Sequence, residues 1–261
     1  KYLESTNENV LQLNGEDLND ARLLEERSVS NYTKLLKNVS ILVIDEAQNI
    51  KDIGVILKLI VDTIDNIKVI ATGSSMFDLA NKLGEPLVGR KNTLFLFRLS
   101  QIECSQFENY KQTTENLEER LLYGCYPEVT HYESWKEKQE YLREIVNSYL
   151  LKDILIFDGI KNADKIYDLL RLIAFQVGKE VSLQELGNQL NLSKNTVEKY
   201  LDLLSKVFVI FKIEGFSRNL RKEITKSSRW YFYDNGIRNA ILNNFNTLNN
   251  RTDIGDLWEN Y

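Results

Sequence analysis

Histidine occurs once in these 261 residues, at His131, and cysteine twice, at Cys104 and Cys125. With so few imidazoles and thiols, Ser-His-Asp triads, Cys-His pairs and multi-histidine zinc centres have almost nothing to draw on. Two cysteines are too few for a disulfide framework and fit a reducing compartment, so a cytoplasmic location is expected. Proline is equally scarce, at two residues, and the twelve glycines build no low-complexity tract or repeat. No apolar run approaches the length of a membrane span, and no signal-peptide pattern opens the chain, so no membrane partner is expected. The formal charge of −5 does not suit a surface that is a nucleic-acid platform throughout, which leaves only a local basic patch for that role.

What is present is enough apolar material, 43% of the residues, to build more than one core. The chain opens at Lys1 and stops in "GDLWENY", where an apolar pattern is still running, so a fragment of a longer protein is expected. The stretch "ILVIDEAQNI" at 41–50 sets four branched aliphatics in a row and then two acids. A short continuous apolar run is the signature of a strand covered on both faces, as in parallel sheets. Helical spacing follows from Asp52, a candidate N-cap, through Ile53, Ile56, Leu57, Ile60 and Ile64, and "IKVIA" at 67–71 reads as the next buried strand. A further helix is expected from Ser74 or Ser75, and another strand over "TLFLFRL" at 93–99. Upstream, "NVLQL" suggests a strand and "DLNDARLLEE" a helix.

Residues 101–160 turn helical and aromatic, with Tyr123, Tyr126, Tyr132 and Trp135 expected to pack together. Three amphipathic helices are expected over 165–177, 182–190 and 193–206, then strand-like "VFVIFKI" and "RWYFYD", with Tyr231 to Tyr233 in the core of the ribbon. That order is the order of a winged helix-turn-helix. The fold expected is therefore α/β, with a partial parallel sheet over 1–100, a helical region over 101–160, a winged helix-turn-helix over 161–235 and the start of a further domain over 236–261.

In an open parallel sheet, ligands bind in the crevice outside the carboxyl ends of the strands. Asp45 and Glu46 end one strand, and Thr72, Gly73, Ser74 and Ser75 end its neighbour, so acids and hydroxyls should meet at one rim. An acid at a strand tip can hold magnesium directly or through its waters, because a hard cation prefers carboxylate oxygen. The next acid can orient and deprotonate water, and phosphoryl transfer asks mainly for such positioning and charge management. The same two acids would also serve a plain loop and helix start, and Gly and Ser are ordinary turn residues. Arg90 should stand near the opposite rim, where it serves either a neighbouring subunit's nucleotide in trans or a surface ion pair. "GEPLVGRKN" is not a phosphate-binding loop, since the pattern needs Lys directly after the second Gly and a helix after that.

In this order, "ILVIDEAQNI", "VIATGSS", "EPLVGR", "LLYGCYPEV", "SYLLKDI", "SKNTVEKYLDLL" and "YFYDNGIRNAI" resemble the bacterial and archaeal predicted ATPases of the AAA superfamily. The resemblance covers nearly the whole chain and implies a P-loop ATPase domain, a helical region, a winged helix and a nuclease-like C-terminal domain. It implies that Asp45 is the magnesium-side acid of Walker B, Glu46 the catalytic base, Ser74 or Thr72 the sensor, and Arg90 the finger of a homo-oligomer, with ATP and magnesium as cofactors. It also places the Walker A loop upstream of Lys1 and the nuclease-like core downstream of Tyr261, so residues 1–261 alone are expected to lack turnover. Arg98 departs from the pattern, which usually has proline before "LS". The competing class is a non-catalytic winged-helix DNA-binding regulator or protein-docking module.

On the third helix of the winged segment, Ser193 is the expected N-cap and Lys194, Asn195, Glu198 and Lys199 project from the first two turns, where a recognition helix meets DNA. Between residues 206 and 229, seven cationic side chains, Arg218, Arg221, Lys222 and Lys226 among them, stand against two acids. A solvated charged face or a protein-docking element accounts for the same pattern. Reversing Lys222 and Lys226 to Glu is expected to weaken DNA binding and to reduce the log–log salt slope by about two; an unchanged slope across a salt series removes the strip from DNA contact.

Overall fold

The computed structural model describes residues 6–73, 87–150, 163–215 and 228–261. The chain divides into two compact units, Lys1–Leu94 and Phe95–Tyr261, each with its own core.

The first unit is built on β1 (Val10–Asn14), α1 (Leu18–Glu25), α2 (Val29–Leu35), β2 (Ile41–Asp45), α3 (Ile53–Thr63) and β3 (Lys68–Ala71). The three strands form one parallel sheet in the order β1-β2-β3. Its register sets Asn14 beside Asp45 and Ile44 beside Ala71. Ile41 to Ile44 are all buried, as a central strand covered on both faces requires. The inward stripe of α3, Ile53, Ile56, Leu57 and Ile60, closes the core with Leu24 and Tyr32 from α1 and α2. Asp17 and Ser28 cap α1 and α2 by accepting backbone N–H groups.

Four expectations need correction. β3 is not buried, since Ile70 is 40% exposed and Lys68 faces solvent; β3 lies at the edge of the described sheet and lacks a second neighbour. Asp52 precedes α3 in the left-handed region and makes no side-chain cap, meeting Arg27 at 3.3 Å instead. Residues 93–97 form no strand, and Leu94 and Leu96 are 88% and 100% exposed. A strand persists only with a ladder partner, and no described strand pairs with this segment. Trp135 is 60% exposed and stands outside the packed tyrosines. The helix expected from Ser74 lies outside the described residues.

The second unit carries α4 (Gln101–Cys104), α5 (Tyr110–Glu115), α6 (Leu117–Tyr123), α7 (Trp135–Glu144), α8 (Ala163–Phe175), β4 (Glu180–Val181), α9 (Leu183–Leu190), α10 (Lys194–Lys206), β5 (Ile210–Ile213), β6 (Ser228–Phe232), α11 (Asn235–Leu242) and α12 (Ile254–Asn260). Its three strands make an antiparallel sheet in the order β4-β6-β5. One core runs through Leu122, Leu142, Leu169, Val197, Leu201, Phe232 and Ile241. Ser182 and Ser193 cap α9 and α10, the latter as expected from the sequence. Phe232 and Trp230 enter the core, whereas Tyr231 and Tyr233 stay half-buried among neighbouring rings. β4 is too short to cover β6 beyond Arg229, and at Phe232 the Asn260 carboxamide takes over. It accepts from the Phe232 N–H at 2.7 Å and donates to its carbonyl at 3.2 Å, as a neighbouring strand would. Among the described residues no helix is long and apolar enough to cross a membrane.

Buried charge in this unit is tied off in place. Arg238, on α11, donates to the Ala174 carbonyl at 3.0 Å and to Asp253 at 2.8 Å, while Arg251 meets Asp253 at 2.8 Å through both Nε and Nη2. Burial by itself would raise the Asp253 carboxyl, but the hydrogen bonds from Arg251 and Arg238 outweigh it and hold the group at about 2. A carboxylate depressed in the folded state contributes stability above its unfolded value near 3.8 and loses it as pH falls towards 2. Unfolding free energy should therefore decline between about pH 4 and pH 2. Asp253→Asn should cost on the order of 2 kcal/mol at pH 7 and flatten that decline, as read from urea unfolding across the range.

Candidate functional site

The carboxyl end of the parallel sheet collects the polar groups of the first unit. β2 spends its four aliphatics in the core and then emerges, so Asp45 is exposed and Glu46 half-buried. The chain returns along β3 to Thr72, whose N–H donates to the Ile44 carbonyl at 2.9 Å and whose carbonyl accepts from the Ala47 N–H at 2.9 Å. Those two bonds bracket the acid pair and fix it against the neighbouring strand. The Thr72 hydroxyl donates to Asp45 Oδ1. Acid and hydroxyl, 27 residues apart in sequence, thus meet as the strand ends predicted.

Glu46 is held differently. Its backbone sits in the left-handed region at φ 48°, a conformation that costs energy in a non-glycine residue and persists only where its surroundings enforce it. Gln48 Nε2 donates to Glu46 Oε2 at 2.5 Å, which orients the carboxylate. On the other flank, Gly15 follows β1 and its N–H donates to the Asp45 carbonyl at 2.8 Å. A Cβ on Gly15 would fall 2.3 Å from the Glu46 carbonyl oxygen, so only glycine lets the two backbones pass. Asn14 shares the rim through its register with Asp45. Sequence reasoning missed Asn14, Gly15 and Gln48; the signal for the first two was "NG" directly after an apolar run, which marks a strand end.

The oxygen donors here, a carboxylate and a hydroxyl beside a second carboxylate, suit a hard divalent cation with water in its remaining positions. Among the described residues no group of three or more His, Cys, Asp and Glu side chains converges to form a self-sufficient metal cage. A groove of about 440 Å³ runs along the same loop, lined by Asn49, Ile50, Lys51, Asp52 and Val55.

The remaining expected residues are elsewhere. Ser74 lies outside the described residues. Arg90 pairs with Asp62 at 2.8 Å, and Asp62 stands in the last turn of α3, the end leading back to the start of β3; this is the rim opposite Asp45. In the second unit, Lys194, Asn195 and Lys199 are exposed on the first turns of α10, together with Glu198. Arg218, Arg221, Lys222 and Lys226 lie outside the described residues. The three described members of the basic strip are each paired with an acid, Lys206 with Asp202 at 2.7 Å, Lys212 with Glu214 at 2.7 Å and Arg229 with Glu259 at 3.6 Å.

Residues 1–105, which hold the parallel sheet with two acids and a hydroxyl at its carboxyl edge, match the family model described as an AAA domain. Residues 114–248, half of the chain, match the model described as "Domain of unknown function (DUF8612)", and the chain belongs to that family. An uncharacterized protein of Haemophilus influenzae is 26% identical over 253 residues, which cover 90% of this chain and 62% of that relative. Two uncharacterized proteins of Methanocaldococcus jannaschii are 26% and 24% identical, over 93% and 70% of this chain and 57% and 44% of their own lengths. The chain thus spans between about two fifths and three fifths of these relatives.

The tight passage at Gly15 gives a direct check on how the acid pair is held. Gly15→Ala must push the Glu46 backbone aside, with an expected loss of about 1–3 kcal/mol in urea unfolding. An alanine variant as stable as the parent would show that the passage exerts no constraint on Glu46.

Proposed function

We propose that the complete protein is a magnesium-dependent ATPase of the AAA superfamily whose nucleotide state is coupled to a winged helix-turn-helix that engages DNA or a protein. The observation that carries this reading is the convergence of Asp45, Glu46 and Thr72 on one sheet edge. In it, Asp45 holds magnesium directly or through water, and Thr72 keeps the Asp45 carboxylate turned to the rim. Bound magnesium would supply charge neutralisation for the phosphates. Glu46, braced by Gln48, orients and deprotonates the attacking water, and Thr72 or Ser74 serves as the sensor. Arg90 acts in trans in a homo-oligomer, for which it must exchange Asp62 for a neighbour's nucleotide. The matched AAA domain supports the nucleotide half of the proposal.

The winged helix rests on element order. Helices α8, α9 and α10 with the antiparallel β4-β6-β5 sheet follow the three-helix and ribbon sequence of that motif, with α10 as the recognition helix. Lys194, Asn195 and Lys199 would meet DNA, continued by the strip at Arg218, Arg221, Lys222 and Lys226. A second reading, a non-catalytic regulator or docking module, draws on the ion pairs of Lys212 and Arg229 and on Glu198 among the exposed residues of α10, all of which dilute the positive field.

Titration of the complete protein with ATP and magnesium separates the two, and the absence of binding selects the module. Glu46→Gln should leave ATP affinity within about twofold while lowering hydrolysis by about 10² or more, because only proton transfer is lost. Normal turnover in the Gln variant would remove Glu46 from the role of base.

A further inference from the structure

The outer face of α9 and α10 has no apolar centre. α10 turns Val197, Tyr200, Leu201, Leu203 and Leu204 into the core, and its exposed positions, Lys194, Asn195, Glu198, Lys199 and Asp202, are all polar. None of the large apolar side chains that stand exposed in the second unit falls between Ser182 and Lys206, whereas Ile102, Phe107 and Tyr110 lie open on other elements. A protein-docking surface is anchored at its centre by aromatic and aliphatic side chains. This face offers none, and its polar groups suit a partner made of hydrogen-bonding edges and phosphates.

The turn that presents α10 is tight. The Leu192 N–H donates to the Gly187 carbonyl at 2.8 Å, and a Cβ on Gly187 would lie 2.6 Å from the Leu192 carbonyl oxygen, so the start of α10 is held directly against α9. Towards its C-terminal end α10 is tied off, with Asp202 paired to Lys206 at 2.7 Å. The side chains of Lys194, Asn195, Glu198 and Lys199 enter no hydrogen bond or ion pair among the described residues. Folding has left the first two turns their full capacity.

Glu198 decides how that capacity is used. On a helix that only gripped phosphates, an acid would oppose binding wherever the helix landed. Facing a base edge in the major groove, the same carboxylate accepts from the N4 amino group of cytosine. Asn195 precedes it by three positions, on the same side of the helix and about 4.5 Å along its axis, close to the rise of one base step of about 3.4 Å. A carboxamide pairs with N6 and N7 of adenine. We propose that α10 reads a defined sequence in duplex DNA, Asn195 on an adenine and Glu198 on a cytosine in neighbouring base pairs, with Lys194 and Lys199 on the flanking phosphates. This assignment rests on α10 being the recognition helix and adds what the helix reads.

Selection by the whole chain from DNA duplexes with a randomised core, at one fixed salt concentration, should enrich a sequence carrying adenine and cytosine in neighbouring base pairs. On that sequence Asn195→Ala should lose about tenfold of the preference for the adenine pair, and Glu198→Gln about tenfold of the preference for the cytosine pair. Glu198→Gln should also bind unrelated duplex as tightly as the parent or more tightly, because a charge that phosphates repel has gone; a merely structural role for Glu198 would weaken every duplex alike. Duplex bound without enrichment, or base preferences unchanged in both variants, overturns the base-reading assignment while DNA contact itself stands. Absence of binding to any duplex overturns the DNA reading together with it.

Discussion

The burial of β2 is the constraint from which the first unit follows. Ile41, Leu42, Val43 and Ile44 are covered on both faces, each worth roughly 1.5–3 kcal/mol. A register slip of one residue would draw Asp45 into the covered row, where an ionised carboxylate without a partner costs several kcal/mol. Apolar burial and acid exposure therefore favour the same register, and that register also sets Asn14 and Ala71 against the end of β2. The rim is polar because the core is not.

The second unit obeys the opposite rule and takes its polar groups inside. Asp234 caps α11 by accepting from the Ile237 N–H at 3.2 Å, accepts from the Cys125 N–H at 2.8 Å and faces Arg98, so one carboxylate joins the "YGCYPE" loop to the start of the helix. Burial raises its proton affinity, while Arg98 and these backbone donors lower it. Gly124 and Gly236 are glycine for the same reason, since a Cβ at either would collide with Asp234 or with the Tyr123 carbonyl. Asn239 donates to the Leu121 and Leu122 carbonyls at 3.2 and 2.7 Å, supplying acceptors at the end of α6 with a donor. These residues are fastenings between helices, and their polarity provides direction that apolar contact cannot.

Much of this was legible in the sequence, and the misses share a cause. The strand at 41–45, the helix after it, and the three helices expected over 165–177, 182–190 and 193–206 all showed in local periodicity, because their buried faces are written within one element; the helices Asn235–Leu242 and Ile254–Asn260 were not foreseen. β3 was legible as a strand but not as an edge, since exposure depends on a neighbour that periodicity does not describe. "TLFLFRL" alternates and is rich in β-formers, yet it pairs with no described strand; propensity proposes a strand and only a partner completes it. Asp52 has the composition of an N-cap, but its left-handed backbone turns the side chain towards Arg27. At the site, Asp45 and Thr72 could be placed together from the sheet rule alone. Gln48 and Gly15 could not, because their roles lie in a contact with Glu46 that no spacing encodes.

The two units also show why residue type is a poor guide to chemistry without a count of partners. "YFYDNGIRNA" contains Asp, Asn and Arg within a few positions and looks more catalytic than "IDEAQN". Yet Asp234 and Arg238 are almost wholly buried, with their hydrogen-bonding capacity directed to the protein itself. Asp45 and Thr72, poorer in apparent chemistry, stand in the open and are held by one another and by backbone bonds that leave oxygen lone pairs facing solvent. A group can act on a ligand only with capacity that folding has not consumed. By that measure the edge of the first unit with capacity left for a ligand is the carboxyl end of β2, whereas the more ornate cluster around α11 spends its capacity fastening the second unit together.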